Sequence, residues 1–338
     1  MKSTTRFTFG AISAAAVVLL LAFGGVFYHE DVNNYLLQQS GKSTASNIDS
    51  AAMNGLSNYF CSRLANWVNP SQLAVRDVSL DLPTGKTEFK MFYYNNSDIV
   101  SHSIASTGSW EPNILTSIVE RLEEYRKKHN LERHQVTFVD IGANIGWFST
   151  AIAYIGYRVI SFEPMPLNEI ILRKNQCLFR ATNPKNEWIY FNKGLSDKPG
   201  TCRIVSDRGN VGNGVLDCAE IPFVLPNHEV RATIDVQSVD DLIPEAMLRS
   251  LNLAVIKMDV ENHEKFVILG GNRLFSSECA VLFMEYQTYG EEHLQRSEFV
   301  KGFFDSLGYR SAYSFRGDEI NLKIGGLIDT VAWNPKCH

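Results

Sequence analysis

The stretch VTFVDIGANIGWFS at residues 136–149 constrains the fold more than any other part of the chain. A run of β-branched and aromatic residues, Val136 to Val139, ends in Asp140. Gly142 and Gly146 then bracket Asn144, and a helix-compatible stretch runs from Trp147 to Tyr154. That order reads as a strand, a tight glycine turn and a helix N-terminus. Such turns bring backbone N–H groups close to a ligand, because glycine has no Cβ to hold it away.

The surrounding pattern repeats this unit. Helical apolar spacing at 113–130 precedes strand 136–141, helix 146–155 and strand 158–163. A helix from Pro166 to about Phe179 and strand 187–192 follow. After an irregular middle come an apolar strand at 251–259, a helix over Glu261–Phe275, a strand at 279–286, a helix at 293–306 and a late strand in YRSAYSF. Strands alternating with helices predict an α/β, doubly wound, largely parallel sheet whose ligand sits at the carboxyl ends of its strands. Residues 59–112 carry mixed signals and are expected to cap this core.

The N-terminus differs in kind. After a short tail (1–6) with Lys2 and Arg6, residues 7–27 hold no charge. Twenty-one helical residues span about 31 Å, against about 30 Å for a bilayer core. Positive charge before the span and Glu30 and Asp31 after it predict a signal anchor with a translocated C-terminal portion, a type II-like single-pass membrane protein. A cleaved signal peptide, with Ala22 and Gly24 before the cut, is the rival. The apolar run exceeds the usual h-region of about 7–15 residues, which favours the anchor. Residues 28–58, polar and small over most of their length, read as a flexible stem. The sequon Asn95-Asn96-Ser97 fits a translocated domain. In a eukaryote this topology points to the Golgi or ER lumen; the opposite orientation would put the domain on the cytosolic face.

Net charge is −5, and no basic block is longer than Arg126-Lys127-Lys128, which argues against nucleic acid as a partner. The six cysteines show no metal-finger spacing. Cys202 and Cys218 flank a loop and are the favoured disulfide pair; Cys177 and Cys279, in apolar runs, read as small buried hydrophobes. Nothing in the sequence fixes an oligomeric state.

Spacing decides which ligand the turn serves. A P-loop needs Lys after its second glycine, and none is present. A dinucleotide fingerprint needs glycines where this chain has Asn144 and Trp147. What remains is D-x-G-x-N-x-G. Asp140 offers an acceptor for an ammonium, and Asn144 tolerates left-handed backbone geometry. Glu163, closing the next strand, can hold two ribose hydroxyls. Together Asp140, Gly142, Asn144, Gly146 and Glu163 suit S-adenosylmethionine.

The stretch DIGANIGWFSTAIAYIGYRVISFEPMPLNEIILRKN resembles the FkbM family of S-adenosylmethionine-dependent methyltransferases. KGLSD (193–197), VQSVDDLIP (236–244) and KMDVENHEKFVILGG (257–271) extend the resemblance over about residues 107–286. The family commonly has glycine where this chain has Asn262. The resemblance implies a Rossmann-like class I methyltransferase fold for residues 113–338 and O-methylation of a sugar, glycan or other small-molecule hydroxyl. It sets Ser196 and Asp197 at the adenine edge and Asp259 facing the transferred methyl, where a carboxylate can orient the acceptor hydroxyl or take its proton.

Glu261 and His263 lie two and four residues beyond Asp259 and are candidates to converge on the same point; capping of a helix start accounts for Glu261 as well. Asp-x-Glu-x-His has the look of a metal constellation, but no metal is assigned. Glu111 reads as a residue closing over the cofactor or as a plain loop acid. Glu285, late in an apolar strand, reads as a buried pocket acid. The loop RGNVGNG (208–214) reads as an acceptor contact or a hairpin connection. A non-catalytic, membrane-tethered interaction module of the same fold is the alternative function.

Overall fold

The computed structural model describes Cys61 and residues 72–95, 98–183, 185–219, 226–276, 280–287, 293–309, 313–314 and 328–333. The expected span at 7–27 and stem at 28–58 lie outside these residues. Among the described residues no helix is long and apolar enough to cross a membrane.

Strands β1 (Leu73–Leu82) and β2 (Gly85–Tyr94) form an antiparallel hairpin, with Leu82 opposite Gly85. Val78, Leu80, Phe89 and Met91 are buried, while Asp77, Ser79, Glu88 and Lys90 between them are exposed, the period-two signature of a half-buried ribbon. Next come α1 (Ile99–Thr107), α2 (Pro112–Lys128), β3 (Val136–Ile141), α3 (Trp147–Ile155), β4 (Arg158–Phe162), α4 (Pro166–Thr182) and β5 (Trp188–Phe191). The hairpin packs on α3 and α4. Phe89 stacks on Tyr154 at 5.1 Å between ring centroids, and Asn175 bonds both the N–H and the C=O of Phe92.

The stretch read as irregular is a second sheet. Strands β6 (Gly194–Leu195), β7 (Gly200–Asp207), β8 (Val215–Asp217) and β9 (His228–Gln237) assemble in the order β6-β9-β7-β8. The chain then returns through β10 (Asn252–Met258), short helices α5 (Glu264–Leu269) and α6 (Asn272–Phe275), β11 (Val281–Gln287), α7 (His293–Leu307), β12 (Tyr313–Ser314) and β13 (Ile328–Trp333). The single helix expected over Glu261–Phe275 is thus two. It starts only after left-handed Glu261 and Asn262, and it breaks at Gly270, where a Cβ would sit 2.1 Å from the Ser196 carbonyl oxygen.

The main sheet runs β12-β13-β11-β10-β3-β4-β5, parallel from β11 to β5, with β13 antiparallel to both β11 and β12. Strands β3, β4, β5 and β10 are buried on both faces, so alternate residues enter two separate cores. Val136 and Phe138 pack with Ile118, Trp147 and the hairpin; Val139 and Ile141 pack with Val267, Phe275 and Phe304. From β3 the chain leaves toward β4 and β5 and returns on the other side as β10. The carboxyl ends of β3 and β10 therefore flank the topological switch point, where open α/β sheets bind ligands.

Cys202–Cys218 is a disulfide, as expected. Cys177 is not the free buried hydrophobe it was read as: it pairs with Cys61, tying the start of the described chain to α4.

Candidate active site

A cleft opens at the switch point between Gly142, Asn144, Glu163, Lys193, Gly214 and Asp259. A second cavity, of about 280 Å³, adjoins it and shares Gly142, Asn144, Asn213, Asp259 and Glu261 with it. Its far wall adds Trp110, Glu111, Trp147, Phe148, Lys257 and Glu285.

Gly142 is required by a close approach. It has φ +78°, and a Cβ there would lie 1.7 Å from the Asp259 carbonyl oxygen. Asp259 N–H in turn donates to Ile141 O at 3.0 Å, so the two strand ends are locked together. Asn144 takes φ +51°, as its residue type allows, and its side-chain oxygen accepts from the Ile145 N–H. The turn does not, however, present free donors. Gly142 and Ala143 N–H both bond Phe162 O, Asn144 N–H bonds Glu163 Oε2 at 2.8 Å, and Gly146 N–H bonds Ala143 O. Its amides are consumed in shaping the turn, so the turn is a wall of the cleft rather than a cradle of N–H groups.

Glu163 lies in the cleft wall, 5% exposed. Oε1 accepts from Met165 N–H at 2.9 Å and from Asn168 Nδ2 at 3.3 Å. Burial pushes its pKa up to about 7, against the pull of these hydrogen bonds. Asn168 also donates to Gly212 O and accepts from Tyr94 OH at 2.7 Å, linking the cleft acid to the hairpin and the glycine-rich loop. That loop, 208–214, is indeed the connection between β7 and β8. Asn210 and Asn213 reach the second cavity from it.

Other expected site residues are not brought to the cleft. Asp140 is fully buried beneath the turn and lines neither cavity. Its Oδ2 accepts from Ser149 Oγ at 2.6 Å, and Oδ1 is buried with no hydrogen-bond partner. Burial raises its pKa, against the nearby Lys257 charge. Ser196 and His263 turn toward each other, Nε2 to Oγ 3.2 Å, and the His263 ring stacks on Phe266. Burial lowers the His263 pKa to about 4, leaving a neutral core imidazole. Asp197 Oδ1 accepts from Ser196 Oγ. The wall at this point is instead Lys193, Gly194 and Leu195. Residues 196–197 fall just past this wall, where Ser196 is taken up by His263.

Lys257 was not foreseen. It is 5% exposed, lies over the Phe148 ring and donates to Asp259 Oδ2 at 3.2 Å. Burial draws its pKa down, but Asp259, Asp140, Glu111 and Glu285 outweigh that and raise it, so the ammonium is permanent. A lysine inside the apolar run LAVIKMD was the available signal: buried charge demands partners. One oxygen from each of Asp259, Glu261 and Glu285 lies within 4.8 Å of the other two. That spacing suits positive charge, and Lys257 already supplies one. Burial, then Asp259, Glu285 and Glu264, push Glu261 up to about 8, against a hydrogen bond from Asn213. Glu111 also lines the cavity, in the left-handed region at φ 42°, at the head of α2.

Residues 140–311 match the family model described as the methyltransferase FkbM domain. No curated protein matches the chain. Solved structures that resemble it include a methyltransferase FkbM from Methylobacillus flagellatus, 18% identical over 70% of this chain and 59% of that one, with a TM-score of 0.38. A TehB-like SAM-dependent methyltransferase from Corynebacterium glutamicum is 11% identical over 70% of this chain and 94% of that one, with a TM-score of 0.33. A SAM-dependent methyltransferase from Agrobacterium tumefaciens is 10% identical over 80% and 72%, with a TM-score of 0.36. The chain spans less than two thirds of the Methylobacillus protein's length.

Proposed function

The chain belongs to the FkbM methyltransferase family, and from that premise we propose that it is an S-adenosylmethionine-dependent O-methyltransferase acting on a hydroxyl of a sugar, glycan or comparable small molecule. The observation that carries this reading is Glu163, a buried carboxylate in a cleft at the switch point, with the acceptor cavity opening directly beyond it. The residues present fit the cofactor. Phe162, Leu195, Leu216 and Val260 offer an apolar surface for adenine. Glu163 keeps lone pairs for the ribose hydroxyls. With Asp140 buried under the turn, Asp259 is the acid at the strand end available to the cofactor's positive charges. S-adenosylmethionine supplies an electrophilic methyl carbon on sulfur.

The chain's own contribution is alignment. Asp259 sits where cleft and cavity meet, with Oδ2 held by Lys257. That leaves it to orient the acceptor hydroxyl through its other oxygen. Trp110, Trp147 and Phe148 supply aromatic surface, and the carboxylates supply acceptors for hydroxyl groups. That mixture suits a sugar ring, which is apolar on its faces and polyhydroxylated at its rim. At about 280 Å³ the cavity is near the lower bound of small-molecule sites, about 300 Å³, so one ring rather than a long oligomer enters it.

The two disulfides support the proposed topology, a span at 7–27 with the domain translocated, because such bonds persist in oxidising compartments. In a eukaryotic cell that compartment is the ER or Golgi lumen.

Calorimetric titration of S-adenosylhomocysteine into the full chain, wild type beside Glu163→Ala, tests the assignment. Saturable binding weakened at least about tenfold, about 1.4 kcal/mol, is expected. A well-folded wild type that binds nothing would favour the interaction-module reading instead.

A further inference from the structure

We propose that Glu261, and not Asp259, receives the proton of the acceptor hydroxyl. This rests on the O-methyltransferase reading above and assigns within it a role that the family does not fix. Both acids stand at the junction of cleft and cavity, but they are held differently. Asp259 is engaged by the buried Lys257 ammonium at 3.2 Å, so one of its oxygens is already taken. Among the described residues no ion pair joins Glu261 to a lysine or arginine. Asp259 and Glu285 lie close to it at the cavity edge, Glu264 follows it in the turn, and its hydrogen bond comes from neutral Asn213 on the β7–β8 loop. Lys257, itself shared among Asp259, Asp140, Glu111 and Glu285, is the positive charge of this surrounding.

The backbone holds Glu261 in this position under strain. Glu261 and Asn262 take successive left-handed conformations, φ 50° and 73°, before α5 begins. Neither is glycine, and such geometry persists only where the surroundings enforce it, most often at functional sites. Asn262 N–H is caught by Glu264 Oε1 at 3.0 Å and His263 N–H by Val260 O at 3.2 Å, so the turn is pinned on both sides. A carboxylate crowded by other carboxylates gains by accepting a proton, which is what a base at this point must do.

The balance is simple. As the acceptor oxygen forms its bond to the methyl carbon, the carbon–sulfur pair stays on sulfur, the O–H bond breaks, and the proton passes to a Glu261 carboxylate oxygen. The proton then leaves through the open mouth of the cavity.

The test uses the full chain with S-adenosylmethionine and a panel of methyl glycopyranosides, following S-adenosylhomocysteine release from about pH 5 to about pH 10. Turnover should rise with pH along a limb well above the ordinary carboxylate range. Glu261→Gln should lower turnover about a hundredfold and remove that limb, in a folded variant that still binds S-adenosylhomocysteine saturably. Glu285→Gln should move the limb down by about one pH unit, a shift that a merely structural role would not produce. Independently of turnover, the ¹³C carboxyl resonance missing from the Glu261→Gln spectrum should titrate above the ordinary carboxylate range and follow the Glu285→Gln shift. The inference is overturned if that resonance titrates in the ordinary range, if Glu261→Gln keeps its turnover, or if chelation abolishes turnover and Mg²⁺ restores it. Loss of S-adenosylhomocysteine binding by folded wild type would instead defeat the cofactor reading on which it rests.

Discussion

Replacing Gly142 by alanine tests the joint between β3 and β10 at its narrowest point. Two penalties add. A non-glycine residue at φ +78° costs about 1 kcal/mol. The new Cβ would also stand 1.7 Å from the Asp259 carbonyl oxygen, a backbone atom that cannot rotate away. Separating two packed strand ends to relieve such a clash costs about 1–3 kcal/mol, the usual range for overpacking. The sum, about 2–4 kcal/mol, lowers the midpoint of thermal unfolding by about 5–15 °C for a domain of this size. Gly146→Ala is the control. Its φ of +85° carries the same conformational penalty, but its Cβ would meet only Leu172 Cγ at 3.1 Å, a side chain that can yield. About 1–2 kcal/mol is expected there. Circular dichroism melts of the two variants, with calorimetry of S-adenosylhomocysteine at a temperature where both are folded, measure the difference. Midpoints within about 2 °C of each other would refute the reasoning, because the clash with Asp259 would then count for nothing.

Two further outcomes concern stability. Glu123 on α2 is 8% exposed and bonded by Arg126, Arg133 and Tyr157. Burial pushes its pKa up, but these partners outweigh that and bring it to about 2. A carboxylate depressed in the folded state contributes stability that is complete above its unfolded pKa of about 4.3 and is lost as pH falls toward about 2. After discounting for solvent around the half-exposed Arg133, that is about 1–2 kcal/mol; Glu123→Gln should forfeit it at neutral pH and flatten the acid limb of a urea-melt series. Removing the Cys202–Cys218 bridge by a double alanine substitution should cost about 3 kcal/mol, given a sequence separation of 16. An unchanged urea midpoint would show that the β7–β8 ladder alone holds this loop.

The parallel strands were legible because burial on both faces makes them continuous apolar runs, and Glu163 and Asp259 because they end such runs. The β1–β2 hairpin carried a readable alternation, Val78-x-Leu80 against Phe89-x-Met91, within a region whose outer positions are charged enough to blur it. The second sheet was harder. β9 has a largely exposed or half-buried face on both sides, with Val236 its one buried residue, so its sequence HEVRATIDVQ shows little contrast between inside and out. The burial of Asp140 was hidden for a different reason. A carboxylate at a strand end looks the same in sequence whether it faces ligand or Ser149, and only the register of α3 decides. His263 and Ser196, 67 residues apart, meet only through the packing of α5 beside β6.

The second sheet begins and ends in one place. Gly194 lies opposite Val236 and Leu195 opposite Gln237, so the chain leaves the cofactor sheet and rejoins it through neighbouring parallel strands. A segment whose ends already touch can change length or sequence with little added closure entropy. The tip of this segment carries Asn210 to the second cavity and Gly212, Asn213 and Gly214 to the cleft, where Glu163 and Gly142 of the main sheet meet them. One excursion of the chain therefore shapes the cleft and the cavity together. Descendants of this sequence that vary residues 194–237 would reshape the cleft and the cavity at once.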